Sequence, residues 1–317
     1  MQLSSITPHA EIAPFIHHFW VFRSPTGLPL GDARVVVPNG RHKLIVPWRN
    51  GLAAAGAGRI SEHKEGEILL VGLWEQPTTI ASGPAETCTI GVEFLPHGLH
   101  RFLPGDLDEI TQAIVPIDAY LGAIGSELTR RVGSAESVEE AVDLVHAFLL
   151  ARFRAASARD SDVVDHALRL MAESRFTLEV KELERRMGYS RRHLQTIFKR
   201  KVGLTPKRLE TVLAFERLYR RFSLHRSPER LRDDALEVFY DQSHFIRTFR
   251  RFTGLPPSRF AELENEFGQI FYRNARPDSL SRGPARLRAS GPLVSGDKGV
   301  DLNRLRWREQ LHASQAP

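Results

Sequence analysis

Residues 190–200 read SRRHLQTIFKR, and their spacing suits the recognition of base edges. Leu194, Ile197 and Phe198 fall on one side of a helix, so Arg191, Arg192, Gln195, Thr196 and Lys199 fall on the other. A guanidinium can donate two parallel hydrogen bonds to guanine O6 and N7, and a glutamine carboxamide can pair with adenine in the same bidentate way. Lys199, Arg200, Lys201, Lys207 and Arg208 suit phosphate oxygens, which fix position without reporting sequence. The same arrangement returns 51 residues later. Identities that keep that offset include His193/His244, Phe198/Phe249, Arg200/Arg251, Gly203/Gly254, Leu204/Leu255, Pro206/Pro257 and Arg208/Arg259. In the second copy Gln242, Ser243, Ile246 and Arg247 face outward, with Arg250 and Arg251 toward phosphate. His193 and His244 precede the first core residue of each copy. Both read first as packed, hydrogen-bonded histidines, and His244 also falls within the DNA-facing set.

Such side chains need helices with defined starts and stops. Ser190 and Asp241 are residue types that cap helix N-termini, and Gly188, Gly203 and Gly254 stand where a left-handed residue ends a helix. Pro206 and Pro257 open the helices that follow, in the turn where a missing N–H costs nothing. Upstream, Ser161 and Thr177 start two more helices, and Ser227-Pro228 starts one through Leu231, Ala235, Leu236 and Val238. Each copy thus reads as a helix, a short turn, a capped second helix and a brace, the grammar of a helix-turn-helix. A repeat of these paired positions favours DNA over a merely solvated basic face.

These repeats resemble the DNA-binding domain of the AraC/XylS family of transcription regulators over residues 160–265. The likeness rests on "YSRRHLQTIFKRKVGLTPKR" and "YDQSHFIRTFRRFTGLPPSRF". It implies two helix-turn-helix units joined by the helix starting at Pro206, binding adjacent major-groove segments on one face of DNA. The reading helices would be Ser190–Arg200 and Asp241–Arg251. Two positions depart from the family pattern. Glu184 stands where a small residue, typically Ala, packs between the helices of the first unit. In the second unit Ala235-Leu236-Glu237-Val238-Phe239-Tyr240-Asp241 is one residue shorter and lacks the turn glycine, which changes the approach to the second reading helix.

The chain has 317 residues, enough for about two domains. Its net charge of +6 is unevenly spread. Residues 1–150 hold 10 Lys/Arg against 17 Asp/Glu, residues 151–267 hold 25 against 17, and residues 268–317 hold 9 against 4. An acidic front and a basic rear fit a polyanion partner for the rear. The front is β-rich: runs at Arg34–Val37, Lys43–Val46 and Ile68–Val71 are bounded by turn residues, and Thr87–Phe94 alternates with period two. From about residue 121 the period becomes helical, with Gly133-Ser134 dividing two helices and a Ser137/Glu140 capping box opening the second. The fold class is therefore α+β: a β-rich sensor or dimerisation domain over 1–122, a helical linker over 123–159, an all-α double helix-turn-helix domain over 160–267 and a basic, disordered tail over 268–317.

The front segments "FIHHFWVF", "VVVPNGRHKLIV" and "IGVEFLPHGLHRFLPGDLDEITQAIVPIDAYLG" look like an uncharacterised β-rich domain that precedes this DNA-binding unit in many bacterial regulators. That resemblance implies sensing or dimerisation. Trp20, Phe22, Trp48, Trp74 and Glu93 are the candidate pocket residues, set against plain core packing of the aromatics. His17-His18 and His97/His100, the latter with ligand-like spacing, come without a His-x-His and trailing Glu or a second thiol near Cys88, and no metal or cofactor is expected. Cys88 alternates with Thr87 and Thr89 and reads as a buried thiol. A lone cysteine and the lack of a signal-peptide pattern fit the cytoplasm. No P-loop, dinucleotide fingerprint or Gly-x-Ser-x-Gly occurs, so the chain is not read as an enzyme. The alternatives are a Cys88-dependent DNA alkyl-transfer repair protein and a non-specific basic nucleic-acid-binding protein. Expected partners are double-stranded DNA, a small-molecule effector, a second copy of the chain and RNA polymerase, with no membrane.

Overall fold

Period-two alternation in the front half is realised as two antiparallel sheets. The computed structural model describes residues 1–28, 35–56, 58–156, 162–174, 178–225, 241–262 and 270–271. Ten strands form in chain order: β1 (Gln2–Ile6), β2 (Ile16–Ser24), β3 (Val35–Val36), β4 (Lys43–Arg49), β5 (Leu52–Gly56), β6 (Arg59–His63), β7 (Leu69–Val71), β8 (Thr78–Ala81), β9 (Thr87–Phe94) and β10 (Ile114–Pro116). One sheet has six strands in the order β1-β2-β9-β4-β7-β10, and the other has four, β3-β8-β5-β6. The central strands of the six-stranded sheet are covered on both faces, which is why β9 is buried along its whole length. Phe19, Val21, Leu44, Val46, Cys88, Ile90, Val92 and Phe94 pack on one face. His18, Trp20, Phe22, Lys43, Ile45, Thr89 and Glu93 belong to the other, which looks toward the second sheet. Trp20 pairs with Gly91 across β2 and β9. Its indole lies so close that a Cβ on Gly91 would meet the ring at 2.0 Å.

Three helices follow: α1 (Ile117–Leu121), α2 (Ala123–Gly133) and α3 (Val138–Ala155). Ser137 caps α3, its hydroxyl accepting from the Glu140 N–H, while the Glu140 carboxylate accepts from the Glu136 N–H at 2.8 Å. Leu128, Val132, Val138, Val142, Val145 and Leu149 share the core of the six-stranded sheet. The segment read as a linker over 123–159 is thus, through Ala155, a layer of the front core.

The rear half builds α4 (Asp162–Glu173), α5 (Val180–Met187), α6 (Arg191–Val202), α7 (Pro206–His225), α8 (Gln242–Thr253) and α9 (Pro257–Glu262). The repeated phenylalanines meet in one core. Phe198, Phe215, Tyr219, Phe245, Phe249, Phe252 and Phe260 all belong to it, with Phe215 edge-on to Phe249 and Phe252 at 5.6 and 4.8 Å. Val37 and Leu73 of the front half join the same cluster, so the halves are packed together. The helix starting at Ser227-Pro228, the Phe239 turn and the caps expected at Ser161 and Thr177 lie outside the described residues. Most of segment 268–317 does too. Ile270 and Phe271 are described, and they pack on the front sheet: Ile270 is buried, and Phe271 lies edge-on to Trp20 at 4.9 Å. At these two residues the structure differs from the disordered tail expected there. The reason is their apolar surface, which the Arg/Gly/Ser-rich stretch beyond lacks.

Candidate nucleic-acid interface and effector cavity

Helix α6 is defined at both ends by its own residues. The Ser190 hydroxyl accepts from the His193 N–H at 3.3 Å, and Gly203 ends the helix in the left-handed region with φ of 86°. Leu194, Phe198 and Val202 are buried and Ile197 half-buried, so the helix docks along one stripe. Arg191, Arg192, Thr196, Lys199 and Arg200 lie on the exposed side, and Gln195 is half-buried beside them. The Thr196 hydroxyl donates to the Arg192 carbonyl at 3.0 Å, which turns it toward its own helix. Helix α8 repeats the construction. Asp241 accepts from the His244 N–H at 2.7 Å, and Gly254 closes the helix with φ of 81°. Gln242, Ser243, His244, Ile246, Arg247 and Arg250 are exposed.

Several positions differ from expectation. His193 and His244 are exposed where packed histidines were read. His193 stacks on Tyr189 at 4.8 Å, and what each position gives its helix is the backbone N–H that meets the cap. Arg200 reaches back to the front half: its Nε donates to both Asp106 oxygens, at 2.9 and 3.0 Å. Arg208 pairs with Glu75. Arg251 lies over the Phe252 ring at 4.5 Å, in a recess of about 330 Å³ shared with Glu75, Gln76, Gln112, Lys207, Arg208 and Thr211. Burial there draws its pKa below the ordinary guanidinium value.

Glu184 is half-buried, and its Oε1 is buried with no hydrogen-bond partner among the described residues. A desolvated, unpaired oxygen costs about 1–3 kcal/mol, and alanine is the better helix former. Glu184→Ala is therefore expected to stabilise the chain by about 1 kcal/mol. Urea unfolding checks this: a midpoint equal to or below that of the parent chain would contradict it.

The second site is a cavity of about 150 Å³ between the two sheets. Trp20, Phe22, Trp74 and Glu93 line it, together with Ile45, Leu69 and Ile80. Trp48 does not. It follows Leu44 and Val46 on the opposite face of β4, packs in the core beside α2 and α3, and carries the Arg49 guanidinium 3.9 Å above its ring. Strand alternation separates it from Lys43 and Ile45.

Apart from Glu93, the charged end of the cavity is the part that sequence reading missed. Arg41 Nη1 donates to Glu216 Oε1 at 3.1 Å, with the two side chains 9% and 3% exposed. Arg220, one turn further along α7, approaches the same oxygen at 3.7 Å. Lys43 stands 4.0 Å from Glu93, and burial lowers its pKa against the opposing pull of that carboxylate. His17 and His18 also line the cavity, and His18 Nε2 lies 2.8 Å from the Ser5 hydroxyl. Charged residues within the apolar runs at 41–46 and 212–222 are the local signal, but nothing local says that they meet. Cys88 is buried within β9 on the face away from the cavity. Burial pushes its thiol up, against the pull of Arg23, which does not suit a nucleophile.

Residues 183–262 match a family described as a helix-turn-helix domain, and residues 4–116 match one described as a domain of unknown function (DUF6597). No curated protein shows significant similarity to the chain. Among solved structures, ToxT from Vibrio cholerae in a 1.65 Å form is 10% identical with a TM-score of 0.44, covering 82% of this chain and 98% of its own. ToxT from Vibrio cholerae O395 bound to (E)-4-(8-methylnaphthalen-1-yl)but-3-enoic acid gives 10% identity and 0.44, covering 81% and 98%. The AraC-like transcriptional activator CuxR is 16% identical with a TM-score of 0.25, covering 64% and 81%. No helix among the described residues is long and apolar enough to cross a membrane.

Proposed function

We propose that the chain is a DNA-binding transcription regulator of the AraC type, in which α6 and α8 enter adjacent stretches of major groove while the cavity between the sheets takes a small effector. The observation that carries the DNA reading is the doubled, capped helix with a buried apolar stripe and an exposed basic face. Ser190 and Gln242 lie at the helix N-termini, where free backbone N–H groups suit phosphate. Arg191, Arg192 and Gln195 are the base-reading residues of the first unit, and Ser243, His244 and Arg247 face the groove in the second. Lys199 and Arg250 serve phosphates. Asp106 competes for Arg200, the remaining phosphate contact of α6.

Selection from a random duplex library by the full chain tests this reading. Two enriched motifs about one helical turn apart are expected, since paired reading helices address successive turns of one DNA face. No enrichment, with binding that only fades as salt rises, would reduce the rear half to a basic surface. Arg192→Ala should relax preference at one base position and cost about 1–3 kcal/mol there. An equal loss on every sequence would assign Arg192 to phosphate instead.

The effector reading rests on the cavity wall. Most of it is apolar, and Glu216 and Arg220 of α7 form part of its charged end. A molecule seated there touches the helix that runs directly from the first reading unit. A mostly apolar molecule with one polar group fits this lining. Trp20 and Trp74 in the wall make a shift in intrinsic fluorescence the readout of occupancy, and a spectrum unmoved by saturating amounts of such molecules would count against the site.

A further inference from the structure

Two arginines placed by sequence on DNA phosphates are held by carboxylates of the front half. Asp106 stands at the start of the 3-10 turn Leu107–Ile110, the position from which an aspartate commonly caps, yet its side chain makes no cap bond. Both of its oxygens instead accept from Arg200 Nε. Glu75, nearly buried, takes Arg208 at the start of α7. Between these two pairs the surfaces touch closely. The Thr111 hydroxyl donates to the Gly203 carbonyl at 2.9 Å, and a Cβ on Gly203 would come within 2.6 Å of that hydroxyl. The Arg200 and Arg208 side chains are each about half exposed, so neither is sealed from an incoming duplex.

We propose that Asp106 and Glu75 act as internal stand-ins for DNA phosphates, so that the front domain competes with the duplex for the cations flanking the first reading helix. The proposal rests on the DNA reading above. A carboxylate accepting from a guanidinium offers the same charge-assisted bonds as a phosphate oxygen. While the pairs hold, two phosphate contacts are unavailable and fewer counterions are released on binding. Loosening the front domain restores both contacts, which ties occupancy of DNA to the state of the sheets.

The test is sequence-independent, so no operator is needed. Binding of the full chain to a random-sequence duplex is followed across salt concentrations and compared with the double variant Asp106→Asn/Glu75→Gln. Each regained phosphate contact steepens the slope of log K against log salt by about 0.9, so the double variant should be steeper by about 1–2. Affinity at low salt should rise by about 2- to 30-fold, the range for two pairs of this exposure. Asp108→Asn/Glu109→Gln is the control. These exposed residues lie on the same turn, make the same change in net charge and pair with neither arginine. Should Glu75→Gln impair folding, Asp106→Asn alone, at a side chain 34% exposed, should still give about half the change in slope. A slope equal to that of the parent or the control overturns the proposal, even if affinity rises. Failure of parent and variant alike to bind duplex at low salt overturns the DNA reading and this proposal together.

Discussion

Glu216→Ala is expected to cost the chain about 3–5 kcal/mol, because breaking a buried ion pair leaves the partner charge in a medium that solvates it poorly. Glu216 is 3% exposed and holds Arg41 at 3.1 Å, with Arg220 at 3.7 Å from the same oxygen. Its removal leaves the charged end of the cavity with cations in excess. The loss should be visible as a lowered urea midpoint. Arg41 belongs to the front half and Glu216 to α7, so the variant should also loosen the contact between the halves. Tryptophan emission, to which the front half supplies three of the four tryptophans, and far-UV circular dichroism, which also weighs the helices, should then no longer change together. Arg41→Met/Glu216→Leu, which removes both charges and keeps volume, should recover most of the loss. A double variant as unstable as the single one would show that packing, and not charge, sets the cost.

Acid should weaken the chain steeply. His42 is fully buried, burial drives its pKa down to about 3, and the charge of Lys43 adds to the effect. His100 is likewise pushed down to about 3, first by burial and then by Arg101, Lys201, His97 and His42. Neither ring has a hydrogen-bond partner among the described residues. Both are therefore neutral in the fold but take a proton in the unfolded chain below about pH 6.5. Their depressed values make the unfolded state the stronger proton binder between pH 6.5 and 3, so stability is full above pH 6.5 and falls as pH drops through that window. Each contributes about 1.4 kcal/mol per pH unit, about 2.7 kcal/mol per unit together. Urea midpoints at pH 7.5, 6 and 5 measure the slope, and His100→Leu should remove about half of it. An unchanged slope in that variant would assign the acid loss to other groups. Lys201 belongs to α6, so protonated His100 would face a cation of the reading helix as well as the cost of burial.

What could be read from sequence was what neighbouring residues decide among themselves. Ser190, Asp241, Gly203 and Gly254 set the limits of α6 and α8 through contacts within four residues. The Phe198/Phe249 register followed from helical spacing alone. Strand alternation placed β9 correctly, but it could not say which tryptophan faced the cavity. Trp48 stands on the face of β4 away from the cavity and Trp74 in the loop after β7, and which of them meets the cavity depends on what packs over each. The Arg41–Glu216 pair spans 175 residues, and no local pattern marks its partners. The same holds for Asp106 and Arg200, which read as an ordinary turn acid and an ordinary surface base until the halves are packed. The helices at 123–155 looked like a connector because their apolar stripe names no partner. The six-stranded sheet supplies it.

Helix α7 begins with Lys207 and Arg208 beside α6 and carries Glu216 and Arg220 into the cavity wall, so one rigid element has a foot in each site. From Pro206 to Glu216 it spans ten residues, about 15 Å of helix. Such a rod is a lever. A tilt of about 4° about Glu216 carries its far end through about 1 Å, given that length. A bidentate contact between arginine and guanine tolerates donor–acceptor distances of only about 2.7–3.2 Å, so a displacement of that size separates a formed contact from a lost one. On the proposed function, a molecule that tilts α7 by only a few degrees about Glu216 would therefore be enough to switch readout at the groove.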